Sequence, residues 1–310
     1  MTTPPALLIA GHGTRDEGGA EALRALVREL GERHPEVPVA GGFFGPAPAE
    51  LPLGDAVAEL VGRGVTRLAA VPLLLAPTGP VPGSLAAALE RAQLDHPGLD
   101  CAHSGELGPH PRLLDALERR LDEALGGGAR RPQDRARTTV LLVARGATDP
   151  HANAEVARAA RLLWEGRGFA GVEIAFVSHT APDVPAGLDR CRTLATASRA
   201  AGGRGRIVVL PYFLFPGGLL DRLWMQTEGW SAAHPETEVL GAQVLGSPPA
   251  LADVVMERYR ETVAGDPLLG GAPCGCRAAA EDARDADGAP DRRTAGPDAD
   301  EDRGDHVRAH

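Results

Sequence analysis

Short apolar runs alternate along this chain with longer stretches in which apolar positions return every three or four residues. The runs include Ala6–Ala10, Val71–Leu75, Val140–Val143, Ile174–Val177 and Ile207–Leu214. Between them, Leu23, Leu26, Val27 and Leu30 fall at the i, i+3, i+4, i+7 spacing of one buried helical face. Val156, Ala159, Ala160 and Leu163 repeat that spacing later in the chain. Continuous apolar runs suit strands covered on both faces, and their alternation with amphipathic helices predicts a parallel sheet with right-handed crossovers.

The pattern occurs twice. Ala6–Ala10 is followed by Gly11-His12-Gly13-Thr14-Arg15-Asp16, and Val140–Val143 by Ala144-Arg145-Gly146-Ala147-Thr148-Asp149. Val71-Pro72-Leu73-Leu74-Leu75 answers Leu210-Pro211-Tyr212-Phe213-Leu214, His96-Pro97 answers His234-Pro235, and Leu107-Gly108 answers Leu245-Gly246. The chain is therefore a tandem duplication. Each copy reads strand, glycine turn, helix, then three further strand–helix pairs. A helix with Leu113, Leu114, Leu117 and Leu121 is expected to close the first half, and one spanning Leu251–Val263 the second. The expected organisation is a first half over residues 1–126, a linker over 127–137, a second half over 138–266 and a disordered acidic tail over 267–310. The tail, nearly free of large apolar side chains, buries too little to offset its ordering entropy.

Composition narrows the function classes. Aromatic residues are 4% of the chain, so the core has to be built from Ala, Val and Leu. The balance of 32 basic against 42 acidic side chains, net −10, argues against a nucleic-acid partner. Every basic residue is Arg. No apolar run approaches the ~20 residues that span a bilayer, no membrane partner is expected, and Met1–Ala10 lacks the basic start of a signal peptide. Four cysteines in 310 residues do not make a disulfide framework, and a cytoplasmic α/β protein is expected.

In parallel α/β sheets ligands bind beyond the carboxyl ends of the strands. His12 follows the first strand between two glycines, where an imidazole is accessible as a ligand for Fe, Co, Ni or Zn, as a general base, or as a turn residue satisfied by backbone. A histidine-phosphatase nucleophile is a poor reading, because Gly11 and not Arg precedes His12. A nucleotide loop fails as well, since Asp16 stands where a third glycine is required.

Gly11-His12-Gly13-Thr14-Arg15, Val71–Leu75, His96-Pro97 and Leu107-Gly108-Pro109-His110-Pro111 together resemble the sirohydrochlorin chelatases in their long tandem form. Arg161–Gly168 and Ile207–Phe215 are similar to that family almost letter for letter. The resemblance covers roughly residues 6–265. It implies a chelatase fold, two tandem Rossmann-like halves facing a central cleft. It implies insertion of Co²⁺ or Fe²⁺ into a tetrapyrrole in cobalamin or siroheme synthesis, with the metal ion as substrate and no organic cofactor. Both halves lie in one chain, so a monomer is allowed. His12 is then the expected metal ligand and base, and Arg15 and Arg145 the expected partners of substrate carboxylates.

The chain departs from the family pattern in the first half. Gly45 stands where the pattern has a Glu, Pro80 where it has a second His, and Ser84 where it has an Asp. Relocated ligands are one consequence to expect. His179, after the run Ile174–Val177, can face the same cleft from the other side and reads either as a relocated second metal ligand paired with His12 or as a loop histidine. His151, His103 and Cys101 are further candidates, with one of the last two expected to point into the core, and His110 reads as a helix start. Cys274-Gly275-Cys276, His306 and His310 in the tail are too few to close a tetrahedral site. The alternative is a descendant that binds a metal, a tetrapyrrole or a partner without chelatase turnover, or that performs a different reaction.

Overall fold

The computed structural model describes residues 4–13, 17–45, 51–77, 84–127, 132–199, 205–246 and 249–265. The first half runs β1 (Ala6–His12), α1 (Glu17–Arg33), β2 (Val39–Phe44), α2 (Leu53–Gly62), β3 (Arg67–Pro72), α3 (Leu85–Asp95), β4 (Asp100–His103) and α4 (Pro111–Ala124). After a short α5 (Pro132–Ala136), the second half repeats the order. Its elements are β5 (Thr138–Ala144), α6 (Pro150–Trp164), β6 (Gly171–Phe176), α7 (Val184–Arg199), β7 (Arg206–Pro211), α8 (Gly218–Ala233), β8 (Glu238–Gly241) and α9 (Pro249–Gly265). Each half forms a four-stranded, all-parallel sheet, ordered β2-β1-β3-β4 and β6-β5-β7-β8. The parallel α/β class is thus the one the periodicity predicts, and the two tandem Rossmann-like halves are those the resemblance implies.

Strand alternation divides the apolar side chains among three clusters. Leu8, Ala10, Leu68 and Ala70 point away from the second half and are covered by α2 and α3 through Val57, Leu60, Leu85 and Leu89. Leu141, Val143, Ile207 and Val209 do the same under α7 and α8, against Leu188, Cys191, Leu223 and Trp230. The opposite faces share one cluster. Leu7, Ile9, Ala69 and Val71 of the first sheet and Val140, Leu142, Val208 and Leu210 of the second belong to it, with α1, α4, α6 and α9 between. Leu, Ala and Val dominate the buried residues, as a chain poor in aromatics requires.

The closing helices do not sit where the repeat alone suggests. α4, last in the first half, packs against β7 of the second sheet, and α9, last in the second half, packs against β3 of the first. Polar contacts fix the exchange. The Tyr259 hydroxyl on α9 donates to the Pro5 carbonyl at 2.6 Å. Asp253 on α9 pairs with Arg33 of α1 and, at 3.0 Å, with Arg112 of α4. Local spacing shows that a helix is amphipathic but not which sheet its apolar face will meet.

The connecting segment is more than a linker. One guanidinium nitrogen of Arg135 on α5 donates to both carboxylate oxygens of Asp122 on α4, at 2.8 and 2.9 Å, and the guanidinium lies over the Phe169 ring at 5.2 Å. Glu118, shared by Arg135 and Arg167, has its carboxyl held below the ordinary range. Burial acts in the opposite sense and is outweighed by the hydrogen bonds and charge of the two guanidiniums. The tail, with Cys274, Cys276, His306 and His310, lies outside the described residues.

A core shared between the sheets makes the halves one cooperative unit. Leu117 of α4 is fully buried in it. Leu117→Ala is expected to cost about 2–5 kcal/mol in chemical denaturation while fluorescence and circular dichroism still report one coincident transition. Separate transitions for the two halves would show that the exchanged helices do not unite them.

Candidate active site

In each sheet the chain reverses direction between the first and third strands, and the carboxyl ends at such a switch point form a ready crevice. The two crevices open onto one cleft of about 970 Å³. From the first half it is lined by Gly11–Gly13 after β1 and by Leu73–Pro77 after β3. From the second come Ala144–Thr148 after β5 and Tyr212–Gly218 after β7.

His12 stands on the first wall at the end of β1. Its approach depends on Gly11, where a Cβ would lie 2.4 Å from the Phe43 ring. The Gly13 amide donates to the Phe44 carbonyl at 2.7 Å, continuing the ladder one residue past the strand. The Phe44 ring meets the imidazole edge-on at 5.4 Å between centroids. Burial is the larger cause holding His12 below its ordinary pKa of 6.5, and the positive charge of Arg145 adds to it. The imidazole is therefore neutral at pH 7, the form that accepts a proton or binds a metal ion.

Arg145 occupies in the second half the place His12 has in the first. The strand registers end at Ala10 opposite Pro72 and at Val143 opposite Pro211, and both residues lie two positions further on. Its loop is firmly held. The Ser178 amide and hydroxyl both donate to the Arg145 carbonyl, at 3.0 and 3.1 Å. Asn153 of α6 accepts from the Ala147 amide and donates to the Ala147 carbonyl, at 2.9 and 2.8 Å. Gly146 has φ +86°, and a Cβ there would lie 2.0 Å from the Ser178 carbonyl oxygen, so only glycine fits.

His179 lines the same cleft as His12 and Arg145. It is the non-glycine residue with φ in the left-handed region, +68°, among the described residues. A turn in which the Thr180 amide donates to the Ser178 carbonyl at 2.9 Å holds it there. Side chains in this region cost about 1–3 kcal/mol each and gather at functional sites.

The remaining walls are mainly apolar. Leu73–Leu75 face Tyr212–Phe215, and the buried Tyr212 hydroxyl donates to the Leu75 carbonyl at 3.3 Å, tying the walls together. Leu219, Leu220 and Arg222 at the start of α8 complete the lining.

The residues singled out in the sequence divide accordingly. His12, Arg145 and His179 share the cleft; Arg15 and Pro80 lie outside the described residues. Ser84 caps α3, its Oγ accepting from the Ala87 amide at 3.3 Å. Gly45 has φ +129°, and a Cβ there would start 3.8 Å from His12 Nε2, so a carboxylate side chain would reach the imidazole only from strained backbone. Cys101 packs half-buried against the outer cluster of the first sheet, where burial and Asp100 push its thiol up to about 11. His103 is exposed and contacts the Ser104 carbonyl at 3.0 Å. His151 is exposed on the first turn of α6, and His110 caps α4 by accepting from the Arg112 amide at 3.2 Å. Arg222 and Asn153 went unnoticed in the sequence. Arg222 had one signal, a position just beyond the Pro216-Gly217-Gly218 turn that follows a central strand. Among the described residues, no group of three or more His, Cys, Asp or Glu is placed to hold a metal ion.

Comparison with known proteins identifies the lineage. The chain belongs to the CbiX family, whose model matches residues 6–124 and again 139–262. A sirohydrochlorin cobaltochelatase of Priestia megaterium is 29% identical over 262 residues, covering 84% of this chain and 80% of that protein. A sirohydrochlorin cobaltochelatase of Methanosarcina acetivorans is 29% identical over 132 residues, 40% of this chain and all of that protein, so a single repeat can make up a whole relative. The solved structure of SirB from Bacillus subtilis with Fe³⁺ aligns at a TM-score of 0.66 and 22% identity, covering 84% of this chain and 96% of that one. That structure shows the same fold.

The environment of His12 yields a titration to check. In a proton NMR titration its midpoint is expected below 6.5, and Arg145→Ala is expected to raise it only part of the way back, because burial is the larger cause. A wild-type midpoint at or above 6.5 would mean the imidazole is neither as desolvated nor as near Arg145 as described.

Proposed function

We propose that this CbiX-family protein inserts a divalent metal ion, Co²⁺ or Fe²⁺, into sirohydrochlorin in the cleft between its halves. One observation carries the reading. A neutral, half-buried imidazole stands at the carboxyl end of a central strand, facing a cleft of about 970 Å³ with apolar walls. The names of the two cobaltochelatase relatives supply the substrate class.

Insertion replaces two ring N–H protons by one M²⁺ ion and involves no change of oxidation state. His12 is the ligand that receives the ion; once the ion has passed to the ring, its freed imidazole accepts one pyrrole proton, and the other leaves to solvent through the cleft mouth. His179 is the second ligand, contributed by the opposite wall. Two imidazoles would be a poor permanent site, since closed divalent sites use more protein groups. A site that must surrender its ion is better left incomplete, because the four ring nitrogens then compete favourably. The Leu73–Leu75 and Tyr212–Phe215 walls flank the macrocycle. Arg145 accepts a peripheral carboxylate through a bidentate pair. Arg15, three residues after His12 in the sequence, is assigned the same task.

The reading extends to setting. Both walls of the cleft come from one chain, which supports a monomer. Cys101 and Cys191 are free thiols, as suits the cytoplasm. No helix among the described residues is long and apolar enough to cross a membrane.

Anaerobic absorption kinetics with sirohydrochlorin and Co²⁺ test the proposal. Wild type is expected to exceed the uncatalysed rate, His12→Ala to lose about 100-fold or more, and His179→Ala to lose less while raising the metal concentration needed for half-maximal rate. A wild type no faster than buffer would remove the enzymatic reading and leave the non-catalytic descendant in its place.

A further inference from the structure

The whole chain is acidic, with 42 acidic against 32 basic side chains, yet the described lining of the cleft holds two guanidiniums, two imidazoles and not one Asp or Glu. The cations are Arg145 and Arg222. Neither has an ion-pair partner among the described residues, unlike Arg33, Arg112, Arg135 and Arg167, which bind the halves together through carboxylates. Arg222 reaches the cleft because the turn from β7 to α8 is short. α8 begins at Gly218, seven residues after Pro211, whereas α3 begins at Leu85, thirteen residues after Pro72. The first turns of α8 are thereby brought onto the cleft wall, and the first half has no counterpart of them among its described residues.

A cleft lined by one sign of charge raises the local concentration of the opposite sign and lowers that of its own. This lining attracts carboxylates and repels a free divalent cation. We propose that the cleft takes its two substrates in a fixed order, the polycarboxylate ring first and the metal ion second, with Arg222 as a carboxylate anchor beside Arg145. The inference rests on the chelatase reading and adds to it. Bound carboxylates neutralise both guanidiniums and leave surplus negative charge at the cleft mouth. His12 and His179 then meet the cation in a field that favours it. The ring so supplies the acidic groups that Gly45 and Ser84 do not.

Two measurements on the full chain test the anchor and the order separately. The first titrates sirohydrochlorin into metal-free protein and follows the absorption change at low and high salt. Arg222→Ala is expected to weaken binding roughly tenfold, the loss of one charge-assisted pair, and to flatten the salt dependence. Arg222→Lys is expected to recover part of both. Arg222 is exposed, so unchanged thermal melts will confirm that the variants fold. Equal binding by wild type and Arg222→Ala overturns the anchor.

The second is isotope trapping. Protein is mixed with radiolabelled Co²⁺, and sirohydrochlorin is then added together with excess unlabelled Co²⁺. The order requires first-turnover product to carry label only at the diluted level. Stoichiometric label in that product would show a productive metal-first complex and overturn the order while the chelatase reading stands. Wild type that binds sirohydrochlorin through Arg222 but inserts no metal would overturn the chelatase reading and the order with it, leaving the anchor in place.

Discussion

The arrangement depends on the exchange of α4 and α9. A four-stranded parallel sheet needs cover on both faces, and each half supplies its outer cover from its own two middle helices. The inner faces are finished by helices from across the molecule, so neither sheet is complete without the other. The two switch points are thereby held open toward each other, with the Tyr212–Leu75 hydrogen bond joining their walls. Cleft width is set by core packing, and interiors at crystal-like density yield little to small perturbations. The polar contacts around Asp253 and Glu118 register the helices on one another. They are exposed or half-buried, so most of the energy comes from the apolar cluster beneath them.

Much of the fold could be read from the chain because its determinants are local and repeated. Leu23, Leu26, Val27 and Leu30 mark a helical face whatever it meets, and an apolar run such as Val140–Val143 admits little but a buried strand. The partner of a face is a different matter. Leu113, Leu117 and Leu121 show the same stripe whether they cover β3 or β7, and nothing in the stripe decides between them. The site divides in the same way. His12 was visible because a histidine between glycines after a strand is conspicuous. Arg222 was not, because an arginine in the first turns of a helix is ordinary until a short loop brings that helix to the cleft. Asn153 was invisible for a related reason, since its role is to bond the backbone of Ala147, and nothing in its own neighbourhood announces that.

The cleft divides its labour by wall. The first half offers the imidazole of His12 and an aliphatic shelf; the second offers guanidiniums, an aromatic shelf and His179 on strained backbone. Strain of that kind persists only where the surroundings over-determine the backbone, and here the Ser178 contacts to the Arg145 carbonyl do so. Side chains that differ this much in charge and hydration can share one cavity because each is carried by a strand end, a held turn or a helix of its own half.

His12 and Arg145 stand at matching places in the two repeats, and this has a consequence for how such a molecule can change. In an assembly of two identical single-repeat chains, any substitution on one wall appears at once on the other. An imidazole and a guanidinium at matching positions would be impossible there, for both walls would carry the same residue. Joining the copies in one chain breaks the two-fold symmetry without disturbing the exchanged helices that create the cavity. Each wall becomes free to change without its twin.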